Sequence, residues 1–519
     1  MSKLDLTIVT NYLVDKGEFV DESILSVLKD IFSKNLSSEE LKSSLIIFFK
    51  KNFPDLVYSD FIIKHFSQKI IPSNVTILKS FEKTPTKRSF QDFVKYFNVR
   101  FKKLELMLRN RSELKGLTSI SRVKLKSGRE NVSVIGMILE KNITKNGHVM
   151  LSLEDLSGVI KVLINKDNKD LIEEAKDLSL DEVIGVVGTG NADIIFANSI
   201  IHPDIPLSKE LKKSPFDHYV VFFGDLHIGS KEFLHKEFYR LLLWLNGKLG
   251  TLQQREIARK VRYIIIPGDI VEGVGIYPGQ EDDLDLKSVR DQYSFAAKLF
   301  KKIPSYIKII ISPGNHDVGR IAEPQLPIDR EYADDLWNLD NVIMVSNPAL
   351  VSLDKTEDFS GITVLVYHGY SLIYYSDAIP SIRSRGGQKV CDDIMVYLLK
   401  RRHLAPTHGS TLYIPDPNED ALVIDEIPDI FLSGHIHRAQ TKNYRNVTCI
   451  NSSSWTAITE DQEKRGLEPQ PARAFAISLK TREVKLMNFS SIKDTSTVAE
   501  YKRLKAEQEQ KKNSSSLNT

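Results

Sequence analysis

Nitrogen and oxygen donors recur in this chain at the ends of short apolar runs. The run 219–223 leads into Gly224-Asp225-Leu226-His227, and 263–267 leads into Gly268-Asp269. The run 307–312 precedes Pro313-Gly314-Asn315-His316-Asp317, 362–367 precedes His368-Gly369, and 430–433 precedes Gly434-His435-Ile436-His437. These motifs contain five of the chain's 12 histidines. Singly most are weak, because Asp-x-His is commonly structural and Gly-Asp is commonly a turn. Gly-His-x-His is the most specific, since alternate residues at a strand end can share a metal. Together, each behind an apolar run, they point to a metal site. Carboxylate, imidazole and an Asn carbonyl, without thiolate, suit Mn²⁺, Fe or Zn better than Cu(I) or an iron–sulfur cluster. The candidate ligands Asp225, His227, Asp269, Asn315, His368, His435 and His437 are too many for one ion and fit two sharing a carboxylate. Two ions about 3.5–4 Å apart clamp a phosphate and supply a hydroxide for in-line attack, so phosphate-ester hydrolysis is the expected reaction class.

The elements that must position these donors lie in the second half of the chain. From about 214 to 493, strand-like runs alternate with helical stretches such as 237–249, 289–303 and 392–402, the pattern of an α/β unit. Residues 119–205 read differently. Five β-rich runs (132–139, 149–153, 159–164, 183–188 and 194–197) have turn signals at Asn146-Gly147 and Ser157-Gly158 and one helical stretch at 168–178. A helix between the third and fourth of five strands is the order of an OB-fold, a barrel used for oligonucleotides and for subunit contacts alike.

Residues 1–72 read as a helical N-terminal module. Ile24, Leu25, Leu28, Ile31 and Phe32 recur at helical spacing behind Asp21 as N-cap, Ser37 and Glu40 form a capping box, and a short helix is expected about Phe61–Phe66. Residues 73–118 read as a basic linker ending in an amphipathic helix with Phe97, Phe101, Leu104 and Leu108 on one face. Its cations, among them Lys79, Arg88, Arg100 and Lys103, interleave with aromatics, and single-strand binding is the competing reading. The tail 494–519 reads as charged and partly disordered.

Composition limits the class. At 519 residues the chain should hold two to four domains, and 41% hydrophobic with 27% charged residues is that of a globular protein. The net charge of +3 is too small to argue for nucleic acid by itself, so any basic surface must be local. Cys391 and Cys449 form no CxxC pair, which disfavours a disulfide framework or thiolate zinc and favours a reducing setting. No apolar run approaches the ~20 residues of a membrane span, and the first residues lack signal-peptide architecture, so a cytoplasmic location is expected.

The set Asp-x-His, Gly-Asp, Gly-Asn-His-Asp, His-Gly and Gly-His-x-His resembles the calcineurin-like metallophosphoesterase superfamily. By that resemblance Asp225, His227 and His437 would hold one metal and Asn315, His368 and His435 the other, with Asp269 bridging. His316 would be the catalytic histidine that is not a ligand, oriented by Asp317. The helical module, basic linker, OB-like region and phosphoesterase in this order further resemble the small subunit of archaeal family D DNA polymerase, as do the stretches 401–409 and 383–387.

The resemblance implies a multidomain α+β protein: an OB-fold β-barrel (119–205) followed by an α/β metallophosphoesterase sandwich (206–493) of two mixed β-sheets flanked by helices. It implies a metal-dependent 3′→5′ exodeoxyribonuclease that proofreads for a replicative two-subunit polymerase. Two divalent ions are expected, Mn²⁺ first, with Fe, Zn or Mg as alternatives. A large catalytic subunit and DNA with single-stranded or mismatched 3′ ends are the expected partners, in a nucleoid-associated heterodimer. A sliding clamp is a further expected partner, although the tail carries no clear clamp-binding motif. Arg383 and Arg385, in a Gly-flanked loop, are candidate DNA contacts, and Tyr370, Tyr374 and Tyr375 could stack on a frayed end or pack in the core. The competing readings are a catalytically silent replication scaffold and a metallophosphatase acting on other substrates.

Overall fold

The computed structural model describes residues 6–16, 18, 20–34, 38–54, 74–82, 86–458, 462, 466 and 468–490. The expected helix near Phe61, the capping box at Ser37 and the tail 494–519 lie outside the described residues. Contacts divide the chain into two compact units, Met1–Pro72 and Ser73–Thr519.

In the first unit, helices Leu6–Asp15, Glu22–Ser33 and Ser38–Asn52 bury Val9, Leu13, Leu28, Leu45, Phe48 and Phe49 in one small core. The Asp21 carboxylate accepts the Ile24 N–H at 2.9 Å and caps the second helix.

The second unit begins with β1 (Val75–Lys79) and then five strands: β2 (Glu130–Ile143), β3 (Val149–Asp155), β4 (Gly158–Ile164), β5 (Val183–Gly190) and β6 (Ile194–Ile201). These five close into a barrel in the order β2-β3-β4-β6-β5. Alternate residues such as Leu151, Leu153, Ile160, Val162, Ile184 and Val186 fill it. Helix Lys169–Lys176, capped by Asn168, joins β4 to β5 and buries Leu171, Ile172 and Ala175 against the barrel core. At the Asp155–Gly158 turn, Asp155 Oδ1 accepts Ser157 N–H and Gly158 N–H at 2.7 and 3.0 Å.

Two six-stranded mixed sheets follow. The first consists of β7 (Tyr219–Phe222), β8 (Val261–Ile266), β9 (Lys308–Ile311), β10 (Val342–Met344), β16 (Arg473–Ser478) and β17 (Val484–Asn488), ordered β10-β9-β8-β7-β16-β17. The second consists of β1 with β11 (Ala349–Leu353), β12 (Ile362–Val366), β13 (Ile430–Ser433), β14 (Gln440–Tyr444) and β15 (Val447–Asn451), ordered β1-β11-β12-β13-β15-β14. Val220, Phe222, Ile265 and Ile310 of the first meet Val351, Val364, Val366, Ile430 and Leu432 of the second in a shared core. Val221, Ile264, Ile266 and Ile309 face the other way, onto helices His235–Leu245 and Val289–Phe300. Leu365, Phe431 and Cys449 face helix Cys391–Arg401. Both faces of these strands are covered, which is why they read as continuous apolar runs. Each fully buried Ile or Val contributes about 1.5–3 kcal/mol before entropic costs. Strands β7, β8 and β9 are parallel, as are β12 and β13, so five strands end at one edge of the sandwich.

The segment expected to be a basic linker is instead built into this unit. β1 pairs antiparallel with β11, and Phe90–Arg109 is a 20-residue helix that buries Tyr96, Arg100, Phe101, Leu104 and Leu108. Phe101, Leu104 and Leu108 pack with Ile135, Met137 and Val183 of the barrel and with Val423. Arg100 Nε donates to Asp420 Oδ2 at 2.7 Å and its Nη1 to the Pro406 carbonyl at 2.6 Å, while the Tyr96 hydroxyl donates to Asp420 Oδ1 at 2.7 Å. His403 completes this buried group at 2.9 Å from Asp420. Lys79 pairs with Glu419 at 3.0 Å, Lys103 with Asp425 at 3.0 Å and Arg88 with Asp416 at 3.6 Å. These cations are matched within the chain, which removes most of the support for single-strand binding by this segment. The stretch 401–409 has a similar role: Arg401 lies 3.2 Å from the buried Glu182 of the barrel and stacks on Tyr397.

Glu323 gives the fold a pH signature. Burial raises its pKa to about 8, against hydrogen bonds from Thr411 and Tyr367 that favour the charged form. The folded state therefore keeps a proton that the unfolded chain releases near 4.5. The stability this proton confers is present in full below pH ~4.5 and is lost as pH rises through about 8, on the order of a few kcal/mol. Thermal melting from pH 5 to 8 should show wild type losing stability while Glu323→Gln, which keeps a neutral side chain, loses less. Parallel pH profiles for the two proteins would contradict this assignment.

Candidate metal centre

The five donor loops follow β7, β8, β9, β12 and β13 and converge at that one edge, where the C-terminal ends of parallel strands of open sheets commonly bind ligands. Asp225, His227, Asp269, His435 and His437 all have positive φ, between 51° and 69°. The left-handed conformation is unfavourable for such residues and persists where surrounding structure enforces it. Here each turn is tied to its neighbour. Asp225 N–H donates to Gly268 O at 3.1 Å, His227 N–H to Asp269 O at 3.1 Å, Gly434 N–H to His368 O at 2.8 Å and His435 N–H to Asp225 Oδ1 at 2.9 Å. The glycines are needed for the close approach. A Cβ at Gly314 would stand 2.2 Å from Asp269 Oδ1, and one at Gly434 2.6 Å from Asp225 Oδ2.

The donors fall into groups. Asp225, His227 and His437 each bring one donor atom within 4.8 Å of the others, as do Asp269, His368 and His435. Asp269 Oδ2 lies 3.4 Å from His368 Nε2 and 3.7 Å from His227 Nε2, between the groups. Asn315 Oδ1 lies 2.8 Å from His368 Nε2. All seven donors named from the sequence therefore come together. His316 joins them: its N–H donates to Asp269 Oδ1 at 2.9 Å, and its ring stands edge-on to that of His227 at 4.6 Å.

The hydrogen bonds behind the donors test whether divalent ions fit. His368 Nδ1–H donates to the Pro267 carbonyl at 2.9 Å, so its Nε2 presents a lone pair to the Asn315 carbonyl oxygen at 2.8 Å. His227 Nδ1–H donates to Glu272 Oε2 at 2.8 Å, and its Nε2 faces His437 Nε2 at 3.2 Å. His435 Nε2 is buried with no hydrogen-bond partner among the described residues. Lone pairs aimed at lone pairs need protons or cations between them, and a His whose other ring nitrogen is held by carbonyl or carboxylate is the usual metal-ligating arrangement. The residues fit two divalent ions.

The electrostatics agree. Burial opposes charge on His227 and His368, yet Glu272 lifts His227 and Asp269 lifts His368, each to about 9. Burial holds His435 at about 3, aided by His368, and burial with His227 holds His437 well below its usual value. Burial also raises Asp225, whereas Asp269 stays well below the carboxylate range because His368 and His316 face it. Without a metal, imidazolium charge must balance these buried carboxylates. Divalent cations do the same while leaving the rings neutral.

Glu272 escaped the sequence reading. It is buried, accepts from His227 Nδ1, receives Gln280 Nε2 at 3.3 Å, and its carbonyl accepts His316 Nδ1–H at 2.8 Å. Nothing in the sequence around it marks it as the partner of His227. Asp317 does not orient His316. Its carboxylate accepts Gly314 N–H at 2.9 Å, Ile270 N–H at 3.3 Å and the Tyr293 hydroxyl at 2.9 Å, and so braces the two loops. Arg383 lines the cavity beside His435 and His437, whereas Arg385 is paired with Asp393. Tyr370, 37% exposed, lies 5.4 Å from the His435 ring, and Tyr374 is 38% exposed; Tyr375 is fully buried and belongs to the core.

Residues 218–439 match the family model described as calcineurin-like phosphoesterase, and together with the donor set this defines a metallophosphoesterase domain. The chain is 41% identical over 378 residues to the DNA polymerase II small subunit of Methanothermobacter thermautotrophicus, covering 73% of this chain and 75% of that protein. It is 41% identical over 389 residues to the same-named subunit of Archaeoglobus fulgidus, covering 75% of each. With that of Thermoplasma acidophilum it shares 33% identity over 500 residues, 95% of this chain and 94% of the relative. The chain belongs to the family of DNA polymerase II small subunits of the archaeal family D polymerase. Among the described residues no helix is long and apolar enough to cross a membrane.

Proposed function

We propose that this chain is the proofreading 3′→5′ exonuclease subunit of a replicative two-subunit DNA polymerase, hydrolysing 3′-terminal phosphodiesters of DNA at a two-metal centre. The observation that carries the reading is the complete donor set, with His316 beside it, in a member of a polymerase small-subunit family. A silent scaffold would have no need to keep seven such donors crowded at one place, four of them buried.

Asp225, His227 and His437 would hold one ion, and Asn315, His368 and His435 the other, with Asp269 between them. Bound there, divalent ions, Mn²⁺ first, supply Lewis acidity toward the phosphate oxygens and acidify the attacking water. Glu272 and the Pro267 carbonyl keep protons on the far nitrogens of His227 and His368, so that both Nε2 atoms stay ligands. His316 Nδ1–H is held by the Glu272 carbonyl, which leaves Nε2 to deliver a proton to the departing 3′-oxygen. Tyr370, partly exposed and 5.4 Å from the His435 ring, is placed for the ring of a frayed terminal base to stack on it.

We read the five-stranded barrel, within 119–205, as an OB-fold supported by its strand order and its helix between β4 and β5. Residues 1–72 serve as a helical interaction module, 206–493 as the exonuclease domain, and 494–519 as a tail. The relatives are named small subunits, so the partner is a large subunit that polymerises. A sliding clamp is a further partner, and the assembly works at the nucleoid in the cytoplasm.

The test compares two substrates. The purified full chain with Mn²⁺ should shorten a mismatched 3′ end one nucleotide at a time and turn over an aryl phosphate much more slowly. The reverse preference would identify a metallophosphatase, and no hydrolysis of either at full metal occupancy would identify a scaffold.

A further inference from the structure

A cavity of about 530 Å³ opens beside His435 and His437, a size that suits a nucleotide-sized ligand. Ile373 and Ile436 give it an apolar surface, while Arg383, Lys389 and Arg438 give it positive charge. Arg438 directly follows the donor His437, and its Nε is buried with no acceptor among the described residues. Lys389 belongs to the Gly387–Val390 turn. One carboxylate joins these two cations. Glu468 Oε1 lies 2.6 Å from Lys389 Nζ, and Oε2 lies 3.5 Å from Arg438 Nη1, which also donates to the Glu468 carbonyl at 2.7 Å. Asp377 is the other acidic residue on the lining, and its carbonyl accepts from Arg383.

We propose that Glu468 is an anionic placeholder: its carboxylate occupies the position of a backbone phosphate of a single DNA strand, bridging Lys389 and Arg438 until the strand displaces it. The inference rests on the exonuclease reading for the identity of the strand. Three properties support it. The bridge stands on the wall of the cavity that leads to the metal donors, so a strand entering there must pass it. Glu468 is 60% exposed and Lys389 47%, and exposed pairs of this kind are weakly held, as a displaceable contact must be. An Arg and a Lys on one anion are also the recognition chemistry of a phosphodiester, and the guanidinium can meet phosphate with two parallel hydrogen bonds. Arg385 does not take part, because Asp393 already holds it. The arrangement keeps the cavity from binding other anions when no strand is present, and it makes entry of DNA an exchange of one anion for another.

The experiment measures binding and salt dependence together. Full-length protein with Ca²⁺ is titrated against a fluorescein-labelled oligothymidylate whose 3′ linkages are phosphorothioates, across a range of KCl. Glu468→Gln should bind about two- to five-fold tighter at low salt, the worth of an exposed pair. Its plot of log affinity against log salt should steepen by about 0.7 for each cation no longer neutralised internally. Lys389→Gln should bind more weakly, and Lys389→Gln/Glu468→Gln should return the slope toward wild type. Unchanged or weaker binding by Glu468→Gln, with an unchanged slope, overturns the proposal. Hydrolysis of the same oligonucleotide with ordinary linkages and Mn²⁺ is read in parallel. Shifted binding without cleavage would remove the exonuclease reading and leave the placeholder. Cleavage with no shift in binding would do the opposite.

Discussion

Replacing His316 by alanine should lower the turnover of 3′-terminal hydrolysis by about 10²–10⁴-fold, the range for loss of one general acid, while the metal content stays at the wild-type value. The geometry separates the two quantities. What Asp269 receives from His316 is its backbone N–H, at 2.9 Å, and alanine retains it. The ring is fixed from the far side by the Glu272 carbonyl at 2.8 Å, so removing it takes away a proton carrier without loosening the loop. KM should change little, because the proton moves in the transition state and not on binding. His316 also lies within 4.8 Å of His227 and Asp269 donors, which makes a ligand role the rival account. If His316→Ala loses an ion along with its activity, the rival account holds.

The second large effect concerns two residues in one motif. His435→Ala and His437→Ala should each reduce the metal content from two ions to one, and the ion lost should differ. His437 Nε2 faces His227 at 3.2 Å and Asp225 Oδ1 at 3.7 Å, whereas His435 groups with His368 and Asp269. Each loss should lower turnover by about 10²–10³-fold, since one ion supplies several kcal/mol of charge stabilisation. Spectroscopy of the remaining ion distinguishes the variants, because it keeps a His227-containing set in one and a His368-containing set in the other. Identical spectra would mean that the two histidines share one ion.

The donors were legible in the sequence because each is fixed locally, by a turn at the end of a strand buried on both faces. Such strands announce themselves as apolar runs, and the residues after them inherit a common edge of the sandwich. Glu272 was missed because a lone Glu in an unexceptional stretch carries no signal until His227 is seen against it. The basic segment was misread for a different reason. Arg100 is matched by Asp420 and Lys103 by Asp425, both more than 300 residues away in the chain. No local pattern announces such a pairing, and a row of cations with distant partners looks like a row of free ones. Tyr375 shows the same limit: it resembles its neighbours Tyr370 and Tyr374 in sequence, but helix Leu372–Ala378 turns it into the core.

One titration tests the central claim most directly. Metal-stripped full-length chain receives Mn²⁺ in steps while bound metal and release of the 3′-terminal nucleotide are measured in the same samples. A two-metal exonuclease should bind two ions per chain, with release rising only as the second site fills. Full activity with one ion or none, or no release with both bound, would contradict a two-metal exonuclease.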